Sequence, residues 1–327
     1  MMSVAPTWSE IPFHIKEDIA QLLDYKSRFR LRVCSKSDLN LVDACPIFLE
    51  QVELYATPPH ALYINNTIEI CQNIVDHFFT IYKHKMSTVN TLVLSLDRGM
   101  QQAPSALLAK IDALKEPVKI KAKKIFYKSQ GLLDQGCLQV LKVLDPQELL
   151  SISSPSWLRG DIMNEFIQSY VWKSVKHLFL GQSFCVSNIS INHVLHCEKL
   201  RLVYSNLLPD DAWNLIKSFI TRDNILPGFG FSVTFYNEIT EEQLSSKFEI
   251  VPKKVPIAHT PAFSSCFHFS TTDIDLIFVL KTRLIRHPHR RRFRYRLEGF
   301  ICKKAHPNRE FGKYHKSLQM EDYKVPN

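Results

Sequence analysis

WSEIPFHIKEDIAQLLDYKSRFRLRVCSKSDLNLVDACP, residues 8–46, reads as three short helices in one N-terminal unit. Ile11, Ile15, Ile19, Leu22 and Leu23 recur at the intervals that line one helical face. Pro12 suits the first turn, where a missing N–H costs nothing, and His14, Lys16, Glu17, Asp18 and Gln21 fill the other face. Ser27 is placed to cap a second helix carrying Phe29, Leu31, Val33 and Cys34 among Arg28, Arg30 and Arg32. A third, Ser37 to Ala44, brings Leu39, Leu41 and Val42 before Pro46 stops it. So small a trio buries little surface, and needs a partner or an attached domain to be stable.

The order Trp8, Ser9, Glu10, Ile11, Pro12, then Ile15, Ile19, Leu22, Leu23, and finally Leu31, Arg32, Val33, Cys34 resembles an F-box. The continuation SKSDLNLVD, Ser35 to Asp43, resembles the nematode-type F-box family that also carries an FTH domain. Ile11 stands where Leu is commoner, and His14 where an acid is common. The resemblance implies a non-catalytic subunit of an SCF-type ubiquitin ligase, with a Skp-type adaptor and a cullin scaffold as partners and a substrate protein held by the C-terminal part. Pro12, Ile15, Ile19, Leu22, Leu31 and Val33 would then divide between an internal core and an apolar face gripping the adaptor. The alternative is that these helices are the first layer of an ordinary helical core.

Past Pro46, strand-like runs recur at Thr91–Leu96, Lys124–Tyr127, Leu149–Ile152, Lys176–Leu180 and Leu200–Tyr204, at intervals that overlap those of leucine-rich repeats. Helix-like segments separate them: Leu132–Leu144, Asp161–Trp172 and Pro209–Ile220. Tyr170 to Leu178 (YVWKSVKHL) is similar to the Gln-Trp-Lys-x-Ala-Lys segment of the FTH domain, with Trp172 expected in the core and Lys173 and Lys176 outward. From Phe229 the pattern alternates through Phe231, Val233 and Phe235, Phe267 and Phe269, Leu276–Leu280, and Phe293 to Phe300, which reads as strands. The expected fold is therefore mixed, α+β or α/β. An F-box over 8–46 precedes an FTH-like, irregular leucine-rich-repeat-like β-α solenoid over 47–252. A basic β-rich cap over 253–302 and a loose tail over 303–327 complete it.

The net charge of +9 is uneven: from Lys253 onward 16 Lys and Arg face 6 Asp and Glu. The densest part is the basic run Lys281, Arg283, Arg286, Arg290, Arg291, Arg292, Arg294 and Arg296, with no acid between. It is compatible with a nucleic-acid or acidic-ligand site, or with basic side chains that discourage edge pairing. No GxxxxGK[ST], GxSxG or HExxH occurs, and Gly228-Phe229-Gly230 is a mere fragment of a dinucleotide fingerprint. His193, His196 and Cys197 could face one side of a turn as metal ligands but read as packing residues, so no catalytic residue, metal or cofactor is expected. Eight scattered cysteines without a Cys-x-x-Cys pair, and no apolar run of membrane-spanning length, point to a cytoplasmic or nuclear protein.

Overall fold

The computed structural model describes residues 7–55, 61–65, 67–69, 74–82, 84–95, 109, 113, 119–128, 132–133, 140–154, 157–158, 160–181, 189–255, 264–273, 275–286 and 293–320. After a 3-10 turn at Trp8–Glu10 come α1 (Phe13–Leu22), α2 (Tyr25–Arg32) and α3 (Lys36–Ala44). The chain continues through β1 (Phe48–Tyr55), β2 (Ala61–Ile64), β3 (Thr67–Glu69), α4 (Ile74–Ile81), β4 (Thr88–Ser95), β5 (Ala122–Tyr127), β6 (Leu132–Leu133), β7 (Ser151–Ser154) and β8 (Trp157–Leu158). Then follow α5 (Gly160–Gln168), α6 (Tyr170–Ser174), β9 (His177–Leu180), β10 (Lys199–Val203), α7 (Pro209–Ile220), β11 (Gly230–Phe235) and α8 (Glu241–Ser245). The last elements are β12 (Lys253–Lys254), β13 (Ser265–Ser270), β14 (Leu276–Arg286), β15 (Phe293–Lys303) and α9 (Pro307–Met320).

One 13-stranded mixed sheet, in the order β12-β13-β14-β15-β11-β10-β9-β7-β5-β4-β1-β2-β3, organises the body. From β1 to β11 the neighbours are parallel, while both ends of the sheet close with antiparallel strands. The register stacks Val52, Leu92, Ile125, Ile152, Leu178, Leu200 and Phe231 side by side across the parallel strands. All seven are buried. Because side chains alternate along a strand, this row belongs to one face.

Helices cover that face. Pro209 opens α7, where Asp210 and Asp211 complement the positive end of the helix, and Trp213, Ile216, Phe219 and Ile220 bury its inner side. Phe219 meets Phe231 at 5.5 Å and Phe278 at 6.2 Å between ring centroids, which ties α7 to β11 and β14. Trp172 is 1% exposed, packs edge-on against Phe166 at 4.8 Å, and donates its Nε1–H to the His193 carbonyl at 2.8 Å. Lys173 points outward, as the sequence suggests.

Gly230 and Gly299 stand opposite Phe300 and Phe231 where β11 and β15 cross. A Cβ on Gly299 would lie 2.1 Å from Phe278 Cζ, and one on Gly230 would lie 2.2 Å from the Gly299 carbonyl oxygen. Gly230 thus serves strand packing, not a nucleotide.

Four sequence expectations change. Asp24, not Ser27, caps α2: its carboxylate accepts the Ser27 N–H at 2.7 Å. Leu132 and Leu133, expected at the start of a helix, pair in parallel with Trp157 and Leu158 as β6, and residues 134–139 of that expectation lie outside the described ones. Residues 48–55, for which no element was expected, form β1. Residues 307–320, expected as a loose tail, form α9, whose Phe311 and Leu318 are buried with Phe179, Val279 and Phe300 on the second face of the sheet. Two apolar residues one heptad apart suffice because the sheet supplies the rest of that core.

Candidate functional site

Ala20, Leu41 and Cys45 form a small core of the N-terminal unit, with Trp8 and Leu31 half-buried against it, and Val42 on α3 is buried as well. Polar bonds do much of the remaining work. The Asp38 carboxylate accepts from Trp8 Nε1 at 2.8 Å and from the Ser35 hydroxyl at 2.7 Å, and those two bonds hold its carboxyl below the usual range. The buried Arg28 guanidinium donates to the carbonyls of Leu23 at 3.0 Å, Pro46 at 2.7 Å and Gln21 at 2.6 Å, joining the end of α1 to the exit of α3. Arg32 forks onto Asp43 at 2.7 and 3.2 Å.

What the core leaves out is apolar. Leu22 is 87% exposed, Val33 69%, Phe13 53% and Ile15 40%, and Pro12 is exposed beside them in sequence. Ile15, Ile19 and Leu22 share one stripe of α1, while Ala20 points into the core. Of the six residues named from the sequence, Pro12, Ile15, Leu22 and Val33 are exposed, and Ile19 and Leu31 are half-buried. Phe13 was missed because it stands off the stripe. Exposed Phe48, just beyond the unit, had no helical period to betray it.

The unit is fastened to the sheet domain. Tyr25 Oη and His77 Nε2 lie 2.8 Å apart, Phe29 packs edge-on against the His77 ring at 4.7 Å, and the Ile47 N–H donates to Ser87 Oγ at 2.9 Å.

The basic run is divided. Glu298 is fully buried, with Ser232 Oγ at 3.0 Å, His315 Nδ1 at 3.1 Å, Arg296 Nη1 at 3.6 Å and Arg283 Nη2 at 3.8 Å from its Oε1. Burial works to raise the Glu298 carboxyl, but His315, Arg283 and Arg296 outweigh it and hold it below its ordinary value. Burial in turn pushes Arg296 down to about 10. Lys281 lies over the Phe311 ring at 4.4 Å, and Arg294 over Tyr236 at 5.0 Å. The side chain of Arg286, and residues 290–292, lie outside the described ones.

On the second face of the parallel strands, Lys124, Ser151, His177 and Lys199 stand in one row, and Phe126, Ser153, Phe179, Arg201 and Ser232 in the next. Lys124 is exposed, and Phe126, His177, Lys199 and Arg201 are half-buried. Burial, with Lys199, Lys124 and Lys176 nearby, pushes His177 down to about 4. Glu198 lies 4.0 Å from its Nε2.

His196 Nε2 bonds the Trp172 carbonyl at 2.9 Å, and Cys197 is buried, its thiol pushed up to about 12 by burial. Among the described residues no cluster of His, Cys, Asp or Glu could hold a metal, and no helix is long and apolar enough to cross a membrane.

Known families agree with this division. An F-box domain model matches residues 8–50, and an FTH domain model matches residues 109–248. No curated protein matches the chain. Among solved structures, the chain is similar to an S-adenosylmethionine-dependent methyltransferase from Clostridium acetobutylicum ATCC 824, with 14% identity over 60% of this chain and 73% of that one. The TM-score is 0.15, too low to carry an argument. An F-box points to an adaptor of an SCF-type ubiquitin ligase, implies binding of a Skp-type adaptor, and belongs to proteins that are generally non-catalytic. With the matched segments falling on the three-helix unit and on the sheet, this chain is an F-box protein with an FTH domain.

Proposed function

We propose that this protein recruits a substrate to a cullin-based ubiquitin ligase, with residues 8–46 gripping a Skp-type adaptor and the sheet domain holding the substrate protein. The observation that carries the reading is the mismatch between four buried apolar residues, Ala20, Leu41, Val42 and Cys45, and the exposed apolar surface of Pro12, Phe13, Ile15, Leu22 and Val33 around them. Exposed apolar surface of this kind gains most when a partner removes it from water, at about 25 cal/mol per Å². Catalysis would reside in other subunits, and this chain would raise the local concentration of substrate beside them.

In this reading the parallel strands, each beside its chain neighbour from β1 to β11, act as an irregular leucine-rich-repeat-like solenoid. The antiparallel strands from Lys253 onward then act as the cap of its open end.

The test is copurification of the Skp-type adaptor with the full chain. Ile15→Asp combined with Leu22→Asp places two charges on the exposed stripe without touching Ala20, Leu41 or Cys45, and abolishes copurification while the melting temperature holds. Retention of the adaptor by this variant would refute the reading.

A further inference from the structure

Lys124 on β5 and Lys199 on β10 flank His177 on the second face of the sheet, three strand steps apart. Among the described residues neither lysine has a carboxylate partner, whereas neighbouring Lys176 is paired with Glu198 at 3.1 Å and Lys128 with Glu53 at 3.3 Å. The lane between them is the row itself, buried Ser151 and half-buried His177, with Phe126 and Ser153 in the next row along the strands. Arg201 follows Lys199 by two residues on β10, in the next row.

We propose that this lane receives an extended acidic peptide segment of the recruited protein, with carboxylates seated at Lys124 and Lys199. The proposal rests on the substrate-docking reading above. Adjacent strands are about 4.8 Å apart, so three steps separate the two lysines by about 14 Å. In an extended peptide, side chains four residues apart on one face are about 13 Å apart. Acidic residues at i and i+4 therefore reach both cations from a segment lying across the strands. The side chain at i+2 faces the row between Ser151 and His177.

A nucleic acid fits less well. It carries a charge every ~1.7 Å of duplex axis and needs a continuous basic track. Here the cations are separated by Ser151 and His177, and Glu198 and Glu53 stand nearby in their ion pairs.

The experiment titrates the full chain with a fluorescein-labelled peptide bearing Glu at every fourth position among Ser and Gly, read by anisotropy at about 50 mM salt. Binding is expected, and it weakens at least about tenfold in Lys124→Glu/Lys199→Glu, and less in Lys124→Gln/Lys199→Gln. His177 gives a second readout: an arriving carboxylate opposes the neighbouring lysines, so its imidazole titration followed by NMR moves upward on binding. The same variants keep the adaptor, which separates failure here from failure of the F-box reading. No binding, binding indifferent to the charge reversals, or tighter binding of a single-stranded RNA of equal charge would each overturn the proposal.

Discussion

Replacing Glu298 by Gln tests whether the basic run is held by a charge inside the protein. The substitution keeps the volume and the contact with Ser232, but it leaves Arg283 and Arg296 facing a neutral amide where a fully buried carboxylate had stood. Breaking a buried pair by removing one partner costs about 3–5 kcal/mol. With an unfolding entropy of about 2.1 cal/mol/K per residue, that becomes a fall in Tm of about 4–7 °C for a chain of 327 residues. Calorimetry at pH 7 measures it. The pH dependence has a definite sign. The folded carboxyl lies below its ordinary value of 4.5, so its contribution is complete above that value and is lost as pH falls through the lower, folded one. The gap between wild type and Glu298→Gln must therefore close in that acidic window. A melting temperature within about 1 °C of wild type at pH 7 would refute the assignment of Glu298 as an ionised, structurally required partner.

His177 gives a second pH signature in a different range. Its folded value of about 4 lies below the ordinary 6.5, so the unfolded chain takes up its proton first and stability declines as pH falls from about 6.5 towards 4. The loss is about 2 kcal/mol once discounted for the part of the ring that stays solvated, and urea titrations show it absent in His177→Asn. Arg28→Ala removes three charge-assisted bonds to backbone carbonyls, and at about 1.5–3 kcal/mol each it unravels the N-terminal unit. Hydrogen exchange then shows lost protection in α1 and α3 with the sheet unchanged, and Lys at this position fails to restore it because a single ammonium cannot span the fork of three acceptors.

Local periodicity carried much of the fold. Pro209–Ile220 is a helix over the span its cap and apolar stripe indicate, and the apolar runs around Ile125, Leu178 and Leu200 lie in strands. Long-range compensation was the part that stayed hidden. In β1, Glu50, Gln51 and Glu53 dilute the strand signal, and Glu53 is tolerated in a buried place because Lys128, which follows β5, reaches it at 3.3 Å. The α9 helix shows little in its own composition, since its stability comes from Phe300 and Val279 of remote strands. The basic run looked like one surface because sequence does not reveal that Glu298 lies across from Lys281 and Arg283 sits beside Arg296 in the β14–β15 register.

The N-terminal unit shows the same limit in its sharpest form. Helical spacing identifies Ile15, Ile19 and Leu22 as one apolar stripe, but amphipathicity reports only that a face avoids water, not which protein covers it. The stripe is turned outward, and the unit's own core is built from smaller or later residues, Ala20, Leu41 and Cys45. Leu22 and Val33 stay exposed, and the unit takes its orientation from contacts elsewhere. Tyr25 and Phe29 on α2 supply it by locking onto His77 of α4, and β1 begins directly beyond α3. A flexible tether would let the sheet wander relative to a bound adaptor. This attachment instead fixes the angle between the exposed stripe and the sheet, so a substrate held on the sheet would be presented to the ligase in one orientation.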